Sequence, residues 1–96
     1  MRLTQLEINK IKELTNNVYG KSDVWLFGSR VYDDKRGGDI DLFIEMQQKS
    51  NLATKLALMT KLQRSLGYRK IDLVVKGTDS KDRVIFEIAK EQGVLL

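Results

Sequence analysis

Val24-Trp25-Leu26-Phe27-Gly28-Ser29, then nine residues, then Asp39-Ile40-Asp41-Leu42-Phe43-Ile44-Glu45: the reading of these two stretches decides the fold. The first is an apolar run that breaks at Gly-Ser, and the second sets two carboxylates inside an otherwise hydrophobic strand. Residues two apart on a strand point to the same side, so Asp39 and Asp41 project together while Ile40, Leu42 and Ile44 enter the opposite layer. At the usual strand rise their Cα atoms lie roughly 6.6 Å apart. Carboxylates converging from that spacing suit a divalent cation, or a pair of them about 3.5 to 4 Å apart. Acid alternating with apolar residues is also what a strand with one solvated face looks like. Two features weigh for the metal reading. Gly28-Ser29 follows a strand that is apolar on both faces, where backbone can approach a ligand. A third acid, Asp72, recurs in a similar setting in Lys70-Ile71-Asp72-Leu73-Val74-Val75. Three carboxylates on two apolar strands are costly to bury without a positive partner.

The composition narrows the chemistry. A chain of 96 residues, 42% hydrophobic and 31% charged, is expected to form one domain over 1–96 with a single modest core. No run approaches the length of a membrane span and the first residues lack a signal-peptide core, so a cytoplasmic location is the default expectation. The chain has no cysteine and no histidine. That excludes disulfides, thiolate or imidazole metal sites, and Ser-His-Asp or Cys-His catalysis. Any metal is then held by oxygen, which points to Mg²⁺, Mn²⁺ or Ca²⁺. The net charge of +4 is spread over nearly every segment, as on solvated helix surfaces, and is a weak sign of a nucleic-acid ligand. Its local exception is Arg30, Lys35 and Arg36, clustered before the acidic pair.

Outward from that centre, Thr4 and Glu7 form a capping-box pattern for a first helix, with Leu3, Ile11, Leu14 and Val18 on one face and a stop before Gly20. Strands are expected at Asp23 to Phe27, Asp39 to Met46 and Lys70 to Val75. Ser29 to about Asp33 can make a short helical turn, followed by a charged loop to Gly38 with Gly37-Gly38 as its flexible exit. Asn51 starts a helix whose stripe Leu52, Leu56, Met59, Leu62 and Leu66 reads as core, opposed by Lys55, Lys61 and Arg64 and stopped by Gly67. A strand, a crossover helix and a strand predict a parallel pair, placing Asp72 near the acidic pair if the strands are neighbours. Gly77 to Ser80 reads as a turn with a capping residue, and a last helix from about Lys81 to Gln92 presents Ile85, Ile88 and Ala89. Val94-Leu95-Leu96 reads as a short edge strand or a sticky surface. The expected class is α/β (α+β), a small mixed sheet flanked by helices.

The set Leu26-Phe27-Gly28-Ser29-Arg30, Gly38-Asp39-Ile40-Asp41-Leu42 and Asp72 resembles the nucleotidyltransferase superfamily that includes DNA polymerase β, and within it the minimal nucleotidyltransferases, over essentially the whole chain. Asp33 stands where many relatives have glycine, and the segment before the acidic pair is one residue shorter than in many. The metal-binding motif is intact. The resemblance implies that Asp39, Asp41 and Asp72 are catalytic and hold two Mg²⁺ ions, with Mn²⁺ an alternative. It also implies that Gly28, Ser29 and Arg30 bind the phosphates of ATP. For Arg30 a surface ion pair with Asp33 or Asp34 is the competing role. Minimal nucleotidyltransferases commonly pair with a helical HEPN-domain toxin and act as its antitoxin by adenylylating a tyrosine. The implied function is thus metal-dependent transfer of AMP to a hydroxyl of a HEPN partner. The alternative of another class is a non-catalytic module that neutralises or scaffolds that partner. Nucleic acid is a weaker direct ligand, and a membrane is not expected.

Overall fold

The computed structural model describes residues 3–28, 40–67 and 70–96. Helix α1 (Gln5–Tyr19) opens on the expected capping box: the Glu7 N–H donates to Thr4 Oγ1 at 3.1 Å and the Thr4 N–H to Glu7 Oε1 at 2.9 Å. Two amides at the helix start are thereby satisfied. Ile8, Ile11, Thr15 and Tyr19 turn inward, with Leu3 also buried and Leu14 and Val18 packed alongside. The buried Thr15 hydroxyl donates to the Ile11 carbonyl at 2.7 Å, so that hydroxyl is satisfied.

Strands β1 (Ser22–Phe27) and β2 (Ile40–Met46) pair antiparallel, with Phe27 opposite Asp41. Helix α2 (Leu52–Leu66) then crosses over, and β3 (Ile71–Lys76) pairs parallel to β2, with Asp41 opposite Asp72. After helix α3 (Val84–Gln92), β4 (Val94–Leu95) joins the far side of β1 antiparallel. The order is β3-β2-β1-β4. This small mixed sheet with three helices is the expected fold class, and the parallel pair is the one the crossover predicts.

Both faces of the sheet are covered. Leu26, Ile40, Leu42 and Ile44 pack with α1 and α2, while Phe27 and Phe43 pack with Phe86 and Ala89 of α3. Coverage on both sides explains why β1 and β2 read as apolar runs rather than alternating ones. Each fully buried Leu, Ile or Phe contributes about 1.5–3 kcal/mol by burial. Phe43, at the centre, is wholly buried between Trp25 and Phe86, with ring centroids 5.3 Å away on each side.

Three expectations need correction. The core stripe of α2 is Leu58, Leu62 and Leu66 with Met59 beside it, whereas Leu52 and Leu56 are exposed. At about 100° per residue Leu56 lies roughly 160° round the helix from Leu58, and Lys55, not Leu56, falls on the inward side. Lys55 is accordingly half-buried, while Lys61 and Arg64 are exposed as expected. Second, α3 begins at Val84 instead of Lys81, with Arg83 at its N-cap making no side-chain cap. The residues that resemble caps are used elsewhere: Asp79 Oδ1 accepts from the Ser50 N–H at 2.8 Å and from its hydroxyl at 3.2 Å, and Ser80 Oγ accepts from the Gly77 N–H at 3.0 Å. Third, Ile88 stays exposed, and Phe86 takes the inward place beside Ala89. The edge-strand reading of the final residues holds for 94–95, and the Leu96 N–H donates to the Val24 carbonyl at 2.8 Å.

Candidate active site

Side chains of one sheet face form three cross-strand rows, because residues in register point the same way. Phe27, Asp41 and Asp72 make the first row, Trp25, Phe43 and Val74 the second, and Asp23, Glu45 and Lys76 the third. Helix α3 covers the middle row. Its Phe86 stacks on Phe43, and Lys90 lies over the Trp25 ring at 5.3 Å. At the third row Glu45 takes Lys90 at 2.9 Å and Lys76 at 3.8 Å, and Lys76 also reaches Asp82 at 3.3 Å. The Glu45 carboxylate there is matched by cations.

The first row lies at the other end of that face. Asp41 is half-buried and Asp72 exposed, on strands that run side by side about 4.8 Å apart. Burial is less than the apolar strand context implies, because both acids sit at the strand starts where the layer of α3 gives out. The Ile40 N–H donates to the Lys70 carbonyl at 2.9 Å, which pins the two starts together. Gly28, directly after β1, adopts φ 80°, and a Cβ built there would collide with Asp41 Oδ2 and lie 3.2 Å from its Cγ. The glycine backbone is thus seated against that carboxylate.

The fold therefore brings together three of the residues singled out in the sequence, Gly28, Asp41 and Asp72. Ser29, Arg30 and Asp39 lie outside the described residues, as do Lys35, Arg36, the expected turn after Ser29 and the charged loop to Gly38. Among the described residues no cluster of three acidic side chains forms. Missed in the sequence were the aromatic ladder Trp25–Phe43–Phe86 and the Glu45–Lys76–Lys90 network. Their one available signal was Trp25 and Phe43 at the inward-alternating positions of β1 and β2.

A model of the polymerase beta nucleotidyltransferase family matches residues 9–96, and the chain belongs to that family. It is by family and fold a nucleotidyltransferase. Among solved structures it is similar to the Shewanella oneidensis complex of a tri-AMPylated HEPN toxin with its MNT antitoxin, at 26% identity and TM-score 0.74, covering 97% of this chain and 71% of that one. It is similar to the toxin–antitoxin MntA–HepT, at 26% identity and TM-score 0.72 over 96% of this chain and 70% of that one. A toxin–antitoxin structure with AMP-PNP matches at 27% identity and TM-score 0.72 over 91% of this chain and 69% of that one. A search of curated proteins finds no match. No helix among the described residues is long and apolar enough to cross a membrane.

Proposed function

We propose that residues 1–96 act as one nucleotidyltransferase domain that transfers AMP from ATP to a tyrosine hydroxyl of a helical HEPN-domain partner in the cytoplasm, and thereby serves as an antitoxin. The observation that carries this reading is Asp41 in register with Asp72, with the Gly28 backbone against the Asp41 carboxylate. It is supported by the likeness to an MNT antitoxin in complex with a tri-AMPylated HEPN toxin and to a toxin–antitoxin structure with AMP-PNP.

The donor set fits a hard cation. Two carboxylates on adjacent strands, in a chain without histidine or cysteine, suit Mg²⁺ first and Mn²⁺ second. We assign two such ions to Asp39, Asp41 and Asp72; when bound they would supply charge neutralisation of the triphosphate and acidify the acceptor hydroxyl. The remaining roles belong to the chain. Gly28 lets phosphate oxygens approach the backbone, Ser29 donates to them, and Arg30 clamps them as a planar fork. Asp72, exposed at the mouth, faces the incoming hydroxyl and takes its proton. The acceptor oxygen bonds to the α-phosphorus as the bond to the departing diphosphate breaks. The electron pair leaves with the diphosphate, and the proton passes from Asp72 to water.

Co-expression with a HEPN-domain toxin tests the reading. Intact-mass analysis is expected to show one or more AMP additions of about 329 Da on the toxin. Asp72→Ala is expected to retain ATP binding yet lose about 10³-fold or more in transfer. An unmodified toxin neutralised equally by wild type and Asp72→Ala would overturn the transferase reading in favour of a binding module.

A further inference from the structure

Among the described residues β3 is the outermost strand on its side of the sheet. In a parallel ladder a strand turns the N–H and C=O of alternate residues towards one neighbour. The bond from the Ile40 N–H to the Lys70 carbonyl, with the register Ile40↔Ile71 to Glu45↔Lys76, turns the backbone of Asp72 and Val74 towards β2. Ile71, Leu73 and Val75 therefore present theirs outwards. Among the described residues those outward groups have no partner. A β-branched-rich edge without proline is a template for an added strand.

The edge runs along a groove of about 400 Å³ whose lining includes Leu73 to Val75 of β3, Leu52 and Lys55 of α2, and Arg83. No carboxylate lines it. Neither Lys55 nor Arg83 makes an ion pair among the described residues; Arg83 rests on the Phe86 ring at 5.5 Å. The nearest acid in sequence, Asp82, is taken by Lys76. Leu52 is 69% exposed and offers the groove an apolar contact from α2. Lys55 stands on the α2 side of the sheet, and Arg83 on the α3 side, against Phe86. Successive side chains of an added strand alternate between those sides, so two adjacent acidic residues would each meet a cation.

We propose that the free edge of β3 takes up an extended segment of a partner protein as a fifth strand, a segment with two adjacent acidic residues for Lys55 and Arg83 and an apolar residue for Leu52. A second copy of this chain suits the edge poorly, since it would set two Lys55 and two Arg83 side chains against each other. The docked segment would pass within about 10 Å of Asp72, three residues along the strand from Val75. The docking stands whether or not the transferase reading does.

A fluorescein-labelled ten-residue peptide of alternating Thr and Val with a central Glu-Asp pair tests this with the full chain at low salt. Saturable anisotropy is expected, with slowed hydrogen exchange at the Ile71, Leu73 and Val75 amides. Binding should weaken at least tenfold with the double variant Lys55→Glu, Arg83→Glu, and equally with a peptide carrying Lys-Lys at its centre. It should vanish for a peptide N-methylated at every residue, which has no N–H donor on either edge and needs no protein variant to fold. Failure of the acidic peptide to bind, equal binding of the N-methylated peptide, or a dimer of the free chain that protects the same three amides would each overturn the proposal.

Discussion

Gly28→Ala probes the contact on which the site is built. The residue sits at φ 80°, and its added methyl would meet the Asp41 carboxylate. A left-handed backbone costs a residue with Cβ about 1–2 kcal/mol. Relieving the collision by forcing Asp41 off its rotamer costs about 0.5–1.5 kcal/mol more. Reduced freedom of the unfolded chain offsets roughly 0.4–1 kcal/mol. The net loss is about 1–2 kcal/mol, or a fall in Tm of about 5–15 °C at this chain length. The two costs separate in a double-mutant cycle with Asp41→Ala, measured by urea unfolding without metal. Removing the carboxylate should recover about 1 kcal/mol, the collision part, and leave the backbone part in place. A Gly28→Ala variant as stable as wild type, or a cycle with no coupling, would refute the contact. Transfer activity should fall by about 10²-fold or more, because a carboxylate displaced by about 1 Å no longer holds the reacting groups in line.

Calorimetry with ATP is expected to show tight binding with Mg²⁺ and little after rigorous chelation, and equal affinity in both would remove the metal role assigned to Asp41 and Asp72. Tyr19 is buried, its hydroxyl has no hydrogen-bond partner among the described residues, and burial pushes the phenol above its ordinary value. Tyr19→Phe should therefore unfold at an equal or higher urea midpoint at pH 7. Because the folded phenol ionises later than the unfolded one, wild-type stability holds below about pH 10 and declines above it; the Phe variant should lose that alkaline component. Asp79 is held below the usual carboxylate range, first by the Ser50 N–H. Its contribution is present above the unfolded value near pH 3.9 and is lost as pH falls towards the folded one. Asp79→Ala should thus lower the urea midpoint more at pH 6 than at pH 3, and an equal drop at both would show that the charge is not what ties the 77–80 turn to Ser50.

Local chemistry made much of this architecture legible. Thr4 with Glu7, Asn51 and Gly67 mark helix ends through bonds and backbone conformations that involve only near neighbours, and α1 and α2 begin and end where those residues place them. The strand cores were equally plain, since an apolar run bounded by glycines and charges has few other uses. Even the meeting of Asp41 with Asp72 followed from the crossover rule, because a single helix between two strands favours a parallel neighbour. What lay beyond the sequence depended on partners far along the chain. Leu52, Leu56, Leu58 and Leu62 are chemically alike, and only the docking of α2 against the sheet decides that the last two are core. Asp79 reads as part of a turn with a capping residue until the fold brings Ser50, 29 residues away, within 2.8 Å of it. In sequence Gly28 reads as a place where the backbone can approach a ligand. Only the antiparallel register of β1 on β2, which sets Phe27 opposite Asp41, makes its missing side chain the space the carboxylate occupies.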